Sequence, residues 1–411
     1  MEKQRMAKER RASGLLLVSV ALAASLGAWG PVAHAGGAAG QWSQLAPYPT
    51  TITNNAVTSV CSDASCTIYS FMGMTNPTAS NSVTSASYKL TSPGTGTWVP
   101  IADAPTLNAK PKVAASAVVV RGQVYLIGGY TIGLNEVTEH RLFRYDAVGD
   151  TYVQLADVPT PVDDTVASVY RDRYIYLMSG WNRPTSGNVP NVQVYDVETN
   201  IWQQATPIPI AGRFGHAGGL IGDRLVMIDG SLDTGLFPVL HETAVGVIDP
   251  NDVSVITWSQ PGASPFSQTY RAANSQPISS CQEMIFVGGT DNPYNFNGTG
   301  YDGQPSNPLD QVMLFDPAAS QWSLVTQSGA HMPTMDHRGL VWFDGQWVTV
   351  GGMTAPGAAT SAVNAIKIAG VCPFVPIPAA SEWGLVIFAL GLIVAASLVG
   401  VVRRVRTVSG A

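Results

Sequence analysis

The chain has 411 residues, a net charge of −6 and only 12% charged residues, with 41 glycines and 28 prolines. This composition is typical of a turn-rich, all-β protein and excludes a mainly helical one, which would be rich in Ala, Leu, Glu and Lys. Eight of the 22 basic residues lie near the two ends, so the middle of the chain is strongly acidic and repels phosphate, which argues against a nucleic-acid partner.

Residues 1–35 have the three parts of a secretory signal peptide. A basic start is followed by an apolar run from Gly14 to Trp29, and then by the small-x-small sequence Ala33-His34-Ala35. The apolar run is shorter than the ~20 residues that span a bilayer. We therefore predict a cleaved signal and export of the protein, with an N-terminal membrane anchor as the alternative.

A short apolar strand that ends in small residues recurs six times along the chain. Its last residues are Gly73, Gly129, Gly180, Gly230, Gly289 and Gly352. In most repeats an apolar or aromatic residue followed by Asp comes next, and then an aromatic residue, as in Tyr195-Asp196 and Trp202. This order predicts a hairpin whose Asp bonds the turn and whose last strand opens on a large ring.

From Gln41 to Gly370 these features resemble the kelch repeat, which combines a Gly-Gly pair, a Tyr-Asp pair and a Trp. The resemblance implies an all-β fold over residues 41–370, a six-bladed β-propeller with four strands in each blade. Three repeats depart from the Gly-Gly pair, at Met72, Ser179 and Asp229.

The sixth repeat lacks its Trp strand, whereas Gln41 to Pro49 look like an orphan strand. We therefore predict that the N-terminal strand closes the last blade.

Export makes disulfides possible, and the chain has four cysteines. Cys61 and Cys66 flank a four-residue turn, which predicts a disulfide between the first two strands of blade one. A second pair, Cys281 with Cys372, depends on whether the geometry brings them together. Neither spacing is that of a metal or redox motif, so we predict no metal and no other cofactor.

Propellers bind ligands at the mouth of the central channel, on the loops that enter the innermost strands. At that position the repeats carry mostly charged residues: Lys112, Asp163, Asp164, Arg213, His216, Arg271, Asp336, His337 and Arg338, with Asn54 and Asn55 in the first repeat. These residues indicate either a site for a polar ligand, in which arginines hold a carboxylate or a sugar, or a salt-bridge network in a water-filled channel.

The loop from Asp291 to Gly303 is a second candidate binding surface. It is long for a propeller and rich in aromatic residues and Asn, which are frequent at adaptable binding surfaces. A Ca²⁺ site built from Asp291, Asn295 and Asp302 is an alternative, although the spacing matches no known calcium loop.

The C-terminal end has the parts of a membrane sorting signal. Residues 371–382 form a linker, residues 383–402 are uncharged and long enough to span a bilayer, and residues 403–411 form a basic tail that favours the cytoplasmic side. The matching motif residues are Ile377, Pro378, Ser381, Glu382, Trp383 and Gly384. This end resembles the IPTL-CTERM sorting signal of Gram-negative bacteria, with Ala379-Ala380 in place of Thr-Leu. The resemblance implies processing by an exosortase-like transpeptidase, and a plain single-span anchor is the alternative.

Together these features predict an exported kelch propeller of the inner membrane or cell surface that binds a protein or a glycan without catalysis. The alternative is a sugar-active enzyme of the envelope, similar to the sialic acid epimerases or, less closely, to the copper radical oxidases. Arg213, Arg271 and Arg338 discriminate between the two. Convergence of the three beside an Asp or His would favour the enzyme, whereas pairing with Asp163 and Asp336 would favour the binding module.

Overall fold

The computed structural model describes residues 38–371, apart from 63–64, 93–95, 134–135, 184, 186, 275–281, 337 and 370. The predicted signal peptide, membrane helix and basic tail lie outside these residues, as do the sorting motif, Cys281, His337 and Cys372. Within the described part of the chain, no helix is long and apolar enough to cross a membrane.

Six antiparallel sheets follow one another along the chain, and each is a blade. Blade one contains Ala56–Cys61, Cys66–Phe71, Ser87–Thr91 and Val99–Ile101. Blade two contains Val113–Val120, Gln123–Tyr130, Leu142–Asp146 and Thr151–Gln154. Blade three contains Val166–Tyr170, Tyr174–Met178, Val192–Asp196 and Ile201–Ala205. Blade four contains Ala217–Ile221, Arg224–Ile228, Thr243–Ile248 and Ile256–Gly262. Blade five contains Ala272–Ala273, Met284–Val287, Val312–Asp316 and Gln321–Leu324. Blade six contains Val341–Phe343, Gln346–Val350, Val363–Ile368, Ala39–Gln44 and Thr326–Ser328.

Short additional elements lie at one end of the blades. They are the paired strands Gly73–Met74 with Val83–Thr84, Trp181–Asn182 with Gly187–Asn188, and Met353–Ala355 with Ala358–Ala359, and the 3₁₀ turn Ser80–Ser82. The first strands of neighbouring blades contact one another in turn around a central axis. The predicted six-bladed propeller is therefore confirmed.

Burial differs between the inside and the outside of each blade. The second strand of blade three, Tyr174–Met178, is almost entirely buried, because adjacent blades cover both of its faces. Its residues are accordingly apolar in an unbroken run and do not alternate with polar ones. The outermost strand, Ile201–Ala205, is largely exposed and contains both apolar and polar residues. Apolar surface is thus concentrated between blades.

The repeated sequence features have the local roles that their spacing predicts. In the turn after each Tyr-Asp pair, the carboxylate accepts a backbone N–H two residues on, as Asp196 does from Glu198. The outer-strand rings reach back to the preceding blade, since Trp202 Nε1 donates to the Ala156 carbonyl at 3.0 Å. The glycine pairs let blades approach closely, because a Cβ at Gly128 would collide with the Val162 carbonyl oxygen of the next blade.

The three departures from the Gly-Gly pair keep the glycine-like backbone. Met72, Ser179 and Asp229 have φ values of 45°, 55° and 51°, in the left-handed region that side chains usually avoid. Each of the three side chains is almost completely buried. The repeat geometry therefore overrides the local preference of these residues.

The N-terminal strand closes the ring, as predicted. Ala39–Gln44 pairs antiparallel with Val363–Ile368, in a register that places Trp42 opposite Ile366. The strand is shorter than predicted and ends at Gln44. It also pairs on its other side, in parallel, with Thr326–Ser328. The start of the described chain is thus held between two segments that lie much later in the sequence.

A disulfide joins Cys61 and Cys66, as predicted. The two residues lie directly opposite each other in the first hairpin of blade one, on either side of its turn.

Candidate functional site

Six residues with left-handed backbone surround the central axis where the chain enters the innermost strands. Their φ values lie between 48° and 66°, and the residues are Asn54, Ala114, Asp164, Gly215, Tyr270 and Asp336. Backbone hydrogen bonds connect one blade to the next here, since each of Ala114, Asp164, Gly215 and Tyr270 donates its N–H to the preceding member. Positive φ at non-glycine residues costs of order 1–3 kcal/mol each and is concentrated at functional sites.

Where this backbone ring meets blade six, side-chain hydrogen bonds and ion pairs connect the neighbouring residues. Asn54 donates to the Asp336 carboxylate in a short hydrogen bond, and Arg338 donates to Asn54 Oδ1 at 2.9 Å. The Arg338 guanidinium also contacts the Asp336 carboxylate at 3.0 Å and reaches Asp164 at 2.5 Å. Because blades three and six face each other, this last ion pair spans the channel.

The other predicted channel-mouth cations are also paired within the fold. Arg271 contacts Asp229 at 2.7 Å, and Arg213 contacts Glu242 at 2.9 Å. Lys112 is buried against Glu139 at 2.7 Å and does not line the mouth. All three arginines are therefore paired with acidic side chains, and two of them, Arg271 and Arg338, line the same small cavity. Of the partners predicted for them, only Asp336 is used, because Asp163 instead accepts a hydrogen bond from Thr138 at 2.7 Å.

A small cavity lies inside the channel, below the ring. It has a volume of about 50 Å³ and is lined by Asp164, His216, Arg271 and Arg338 among others. His216 Nε2 lies 2.8 Å from the Met178 carbonyl oxygen, and its Nδ1 has no hydrogen-bond partner among the described residues. Burial lowers the pKa of His216 to about 3, so the imidazole is neutral at physiological pH. This cavity has room for one or two waters and little more.

A larger pocket of about 150 Å³ opens at the mouth, on the other side of Asp164. Its lining combines aromatic rings with charged groups: Tyr130, Glu136, Asp163, Asp164, Trp181, Arg183, Phe214, Phe237, Tyr270, Tyr294, Asn295 and Tyr301. The rings contact one another, with Trp181 and Phe214 centroids 5.8 Å apart and Phe237 and Tyr301 centroids 4.1 Å apart. Most of this lining was not predicted from the sequence.

The loop from Asp291 to Gly303 forms one wall of this mouth pocket. It crosses from blade five to blade two on the opposite side of the ring, where the Tyr130 hydroxyl donates to Asn295 Oδ1 at 3.0 Å. Phe296 packs with Met74 and Val113, residues of blades one and two. The side chains of the alternative Ca²⁺ site are engaged separately, because Asn295 accepts from Tyr130 and Asp302 accepts from Asn292.

No family model matches the chain. Curated relatives include Kelch-like protein 15 of Homo sapiens, 22% identical over 242 residues, which is 57% of this chain and 38% of that protein. Kelch-like protein terF of Aspergillus terreus is 27% identical over 211 residues, 49% of this chain and 44% of that protein. The match thus spans less than half the length of these relatives. The solved structure of YjhT superposes with a TM-score of 0.61 at 17% identity, covering 80% of this chain and 98% of that one. The chain is a kelch-repeat, six-bladed β-propeller.

In this kelch propeller the pocket-lining aromatics occupy repeated positions. Tyr130 and Trp181 directly follow the small-residue pair of their blades, and Phe214 and Tyr270 lie beside the arginine that precedes the innermost strand. Aromatic residues at these repeated positions are a sequence signal for the pocket lining. This signal was missed at the level of sequence because only the charged residues next to the same positions were considered.

The charges at the mouth of the kelch propeller are out of balance. Burial, reinforced by the neighbouring Asp164, raises the pKa of Asp163 well above its ordinary value. Burial likewise raises the pKa of Asp164 and of Glu136, although Arg338 and Arg183, respectively, oppose the shift. Several carboxyl groups are therefore held where their charged forms are poorly solvated.

The buried carboxyl of Asp336 should make the stability of the protein depend on pH. Burial raises its pKa from 3.8 to about 6, against the opposing effect of Arg338. Because the folded protein then keeps the proton to higher pH than the unfolded chain, stability should fall as pH rises from about 4 to about 6. Relative to Asp336→Asn, we expect the wild type to lose about 3 kcal/mol of unfolding free energy over that interval.

Urea unfolding of both proteins at intervals between pH 4 and pH 7 measures this difference. Asp223→Asn, which removes an exposed carboxylate on blade four that is paired with Arg224, is the matched control. A constant difference between wild type and Asp336→Asn across the interval would contradict the raised pKa.

Proposed function

We propose that this kelch propeller is a non-catalytic glycan-binding module whose ligand site is the mouth pocket. The supporting observation is a pocket of about 150 Å³ in which aromatic rings and carboxylates face the same space. A sugar ring presents apolar C–H faces, against which aromatic rings pack, and hydroxyl groups, which donate hydrogen bonds to carboxylate oxygens. The volume is below the ~300–1,000 Å³ of pockets for drug-sized ligands, so one ring-sized group fits at a time.

The ion pairs at the mouth argue against capture of a carboxylate by arginines. Arg213, Arg271 and Arg338 each lie against an acidic partner at 2.9 Å or less. An acidic sugar would have to displace those partners and approach Asp163 and Asp164 at the same time. The binding-module interpretation is therefore favoured over the sialic acid epimerase-like alternative.

One observation supports an enzyme as the second candidate. A carboxyl whose pKa is raised by burial, as at Asp163, is the kind of group that serves as a general acid. Copper radical chemistry has less support, because Cys61 and Cys66 are joined to each other, and no group of three His, Cys, Asp or Glu in the described chain is arranged to hold a metal ion. Turnover of a bound sugar that is lost in Asp163→Asn would establish the enzyme.

The proposal places this module in the bacterial envelope. Its support is the sequence of the two ends: the signal-like residues 1–35 and the sorting motif from Ile377 to Gly384 with the apolar residues 383–402. We propose that an exosortase-like transpeptidase is the processing partner and that the propeller then acts at the cell surface. A propeller that presents a ring-sized glycan site outside the cell is consistent with that location.

A glycan array with the full chain, followed by calorimetric titration of the hits, tests the glycan site. Trp181→Ala should weaken binding by about tenfold or more, because truncating a central aromatic anchor commonly costs 1–2 kcal/mol. Tyr174→Ala is the matched control, since this ring belongs to the same blade but contacts Arg173 at the opposite end of the strand. Absence of any glycan hit, or equal affinity of Trp181→Ala and wild type, would overturn the proposal.

A further inference from the structure

We infer that the glycan carries a free, protonated amino group, which the carboxylates of the mouth pocket hold between its aromatic rings. This inference rests on the proposed glycan site and specifies the class of sugar that the site prefers.

Carboxyl groups outnumber guanidinium groups around the pocket. Glu136, Asp163 and Asp164 line the pocket. Asp336 is close by, because the Arg338 guanidinium contacts both Asp164 and Asp336. Against these four carboxyl groups stand two guanidinium groups, Arg183 in the lining and Arg338 between Asp164 and Asp336. Asp163, Asp164 and Asp336 are 2%, 8% and 1% exposed, so water cannot solvate their charge well. A bound cation would relieve this excess, whereas a bound anion would add to it.

A set of aromatic rings lines the same pocket as those carboxylates. Trp181, Phe214 and Phe237 pack against one another with centroid separations of 5.7 to 6.0 Å. Tyr301 from the crossing loop lies against Phe237 on the other side. The faces of such rings attract cations, and most strongly where water is excluded. Aromatic rings and acidic groups thus favour the same kind of ligand.

The pocket lining also contains a hydrogen-bond donor with no partner among the described residues. The Trp181 indole Nε1 is buried and has no hydrogen-bond partner among the described residues. A buried indole N–H usually finds an acceptor, and a sugar hydroxyl or ring oxygen would supply one. The pocket therefore offers a donor for a sugar oxygen and acceptors for an ammonium group.

The form of the cation follows from the geometry of the acceptors. The described residues contain no group of three His, Cys, Asp or Glu side chains placed to share a metal ion. An ammonium group instead donates three directed hydrogen bonds and can use separate carboxylates such as Asp163 and Glu136. A quaternary ammonium lacks those donors, so a primary amine on a sugar ring fits the pocket better.

Binding of such an amine has a proton signature. Burial raises the pKa of Asp163, and an ammonium group beside it would lower that pKa again. The complex should therefore release protons as it forms, so the calorimetric enthalpy should differ between buffers of low and high ionisation enthalpy. A neutral sugar should show no such dependence.

The test compares three sugars that differ at one carbon: glucosamine, N-acetylglucosamine and glucose, each as monomer and β-1,4 trimer, titrated into the full chain. We expect the amine form to bind at least tenfold more tightly than the acetylated and hydroxyl forms at pH 7, with release of protons. Asp163→Asn and Glu136→Gln should each weaken amine binding about tenfold. Asp223→Asn, an exposed carboxylate paired with Arg224, should not.

The outcomes separate this inference from the function on which it rests. Equal binding of the amine and acetylated sugars overturns the inference and leaves the glycan site intact. Tighter binding of a lysine-bearing peptide than of any amino sugar also overturns it, because the cation would then belong to a protein. Failure of every sugar to bind overturns both. Glu136 is partly exposed, so Glu136→Gln remains a folded test if Asp163→Asn does not fold.

Discussion

Deletion of residues 41–49 should abolish the cooperative unfolding of the propeller. The deleted segment supplies most of the strand Ala39–Gln44, which pairs with Val363–Ile368 on one side and with Thr326–Ser328 on the other. Trp42 is buried within this strand, and its Nε1 donates to Gln327 at 2.6 Å. Loss of one such ring alone commonly costs ~3–5 kcal/mol. The deletion also exposes two strand edges that the closed ring protects.

Thermal and urea unfolding, followed by near-ultraviolet circular dichroism, would show a broad, low-temperature transition in place of a single steep one. A circular permutant is the matched control. It begins at residue 50 and carries residues 38–49 after residue 371 through a short Gly/Ser linker, so compared with an unpermuted protein of residues 38–371 it keeps the strand and changes only its connection. This permutant should melt close to that unpermuted protein. If the deletion protein melts like the full chain, closure by this strand contributes nothing to stability.

The order of the chain determined which parts of the fold could be predicted. Repeats such as Tyr195-Asp196 with Trp202 are local, because the Asp bonds its own turn and the ring reaches the end of the preceding blade. Six copies in register specify the number of blades. Ring closure followed from counting, since one strand was missing at the end and one was spare at the start. The parallel pairing with Thr326–Ser328 has no such signal, because it occurs once, outside the repeat, between segments that are far apart in sequence.

The candidate site was harder to predict, because its contacts join residues that are distant in sequence. Arg338 was predicted at the mouth from its position in the repeat, whereas its pairing with Asp164 joins opposite blades across the channel. Tyr301 lines the pocket only because the blade-five loop crosses the mouth, which Tyr130 and Asn295 fix by a hydrogen bond. No spacing rule encodes such a path.

Replacement of Arg271 by Ala should be the most destabilising single substitution among the mouth residues. Its guanidinium contacts Asp229 at 2.7 Å, donates to the Phe266 carbonyl at 2.6 Å and forms a short hydrogen bond with Gln268. Both members of the ion pair are 1% exposed. Truncation would leave the Asp229 carboxylate buried without its counter-charge, which costs ~3–5 kcal/mol in comparable pairs.

The loss of stability in Arg271→Ala should also depend on pH, because the surroundings of Asp229 shift its pKa. Burial already raises the pKa of Asp229, and Arg271 opposes that shift. Without Arg271 the folded-state pKa rises further above the unfolded value, so the loss of stability should be smallest below about pH 4, where the carboxyl is mostly protonated in both states. It should grow as pH rises toward 7. Urea unfolding of Arg271→Ala at both pH values measures this dependence.

Two further variants distinguish the lost charge pair from lost packing. Arg271→Met with Asp229→Asn removes both charges, keeps much of the buried volume and places Asn, which tolerates positive φ, at the left-handed position 229. This double variant should recover most of the stability lost in Arg271→Ala, because replacing a whole buried pair is often nearly neutral. Arg224→Ala breaks a more exposed pair with Asp223 and should change stability by no more than ~1 kcal/mol. If the double variant is as unstable as Arg271→Ala at pH 7, the cost lies in the hydrogen bonds of Arg271 to Phe266 and Gln268, within the connection from blade four to blade five, and not in the ion pair with Asp229.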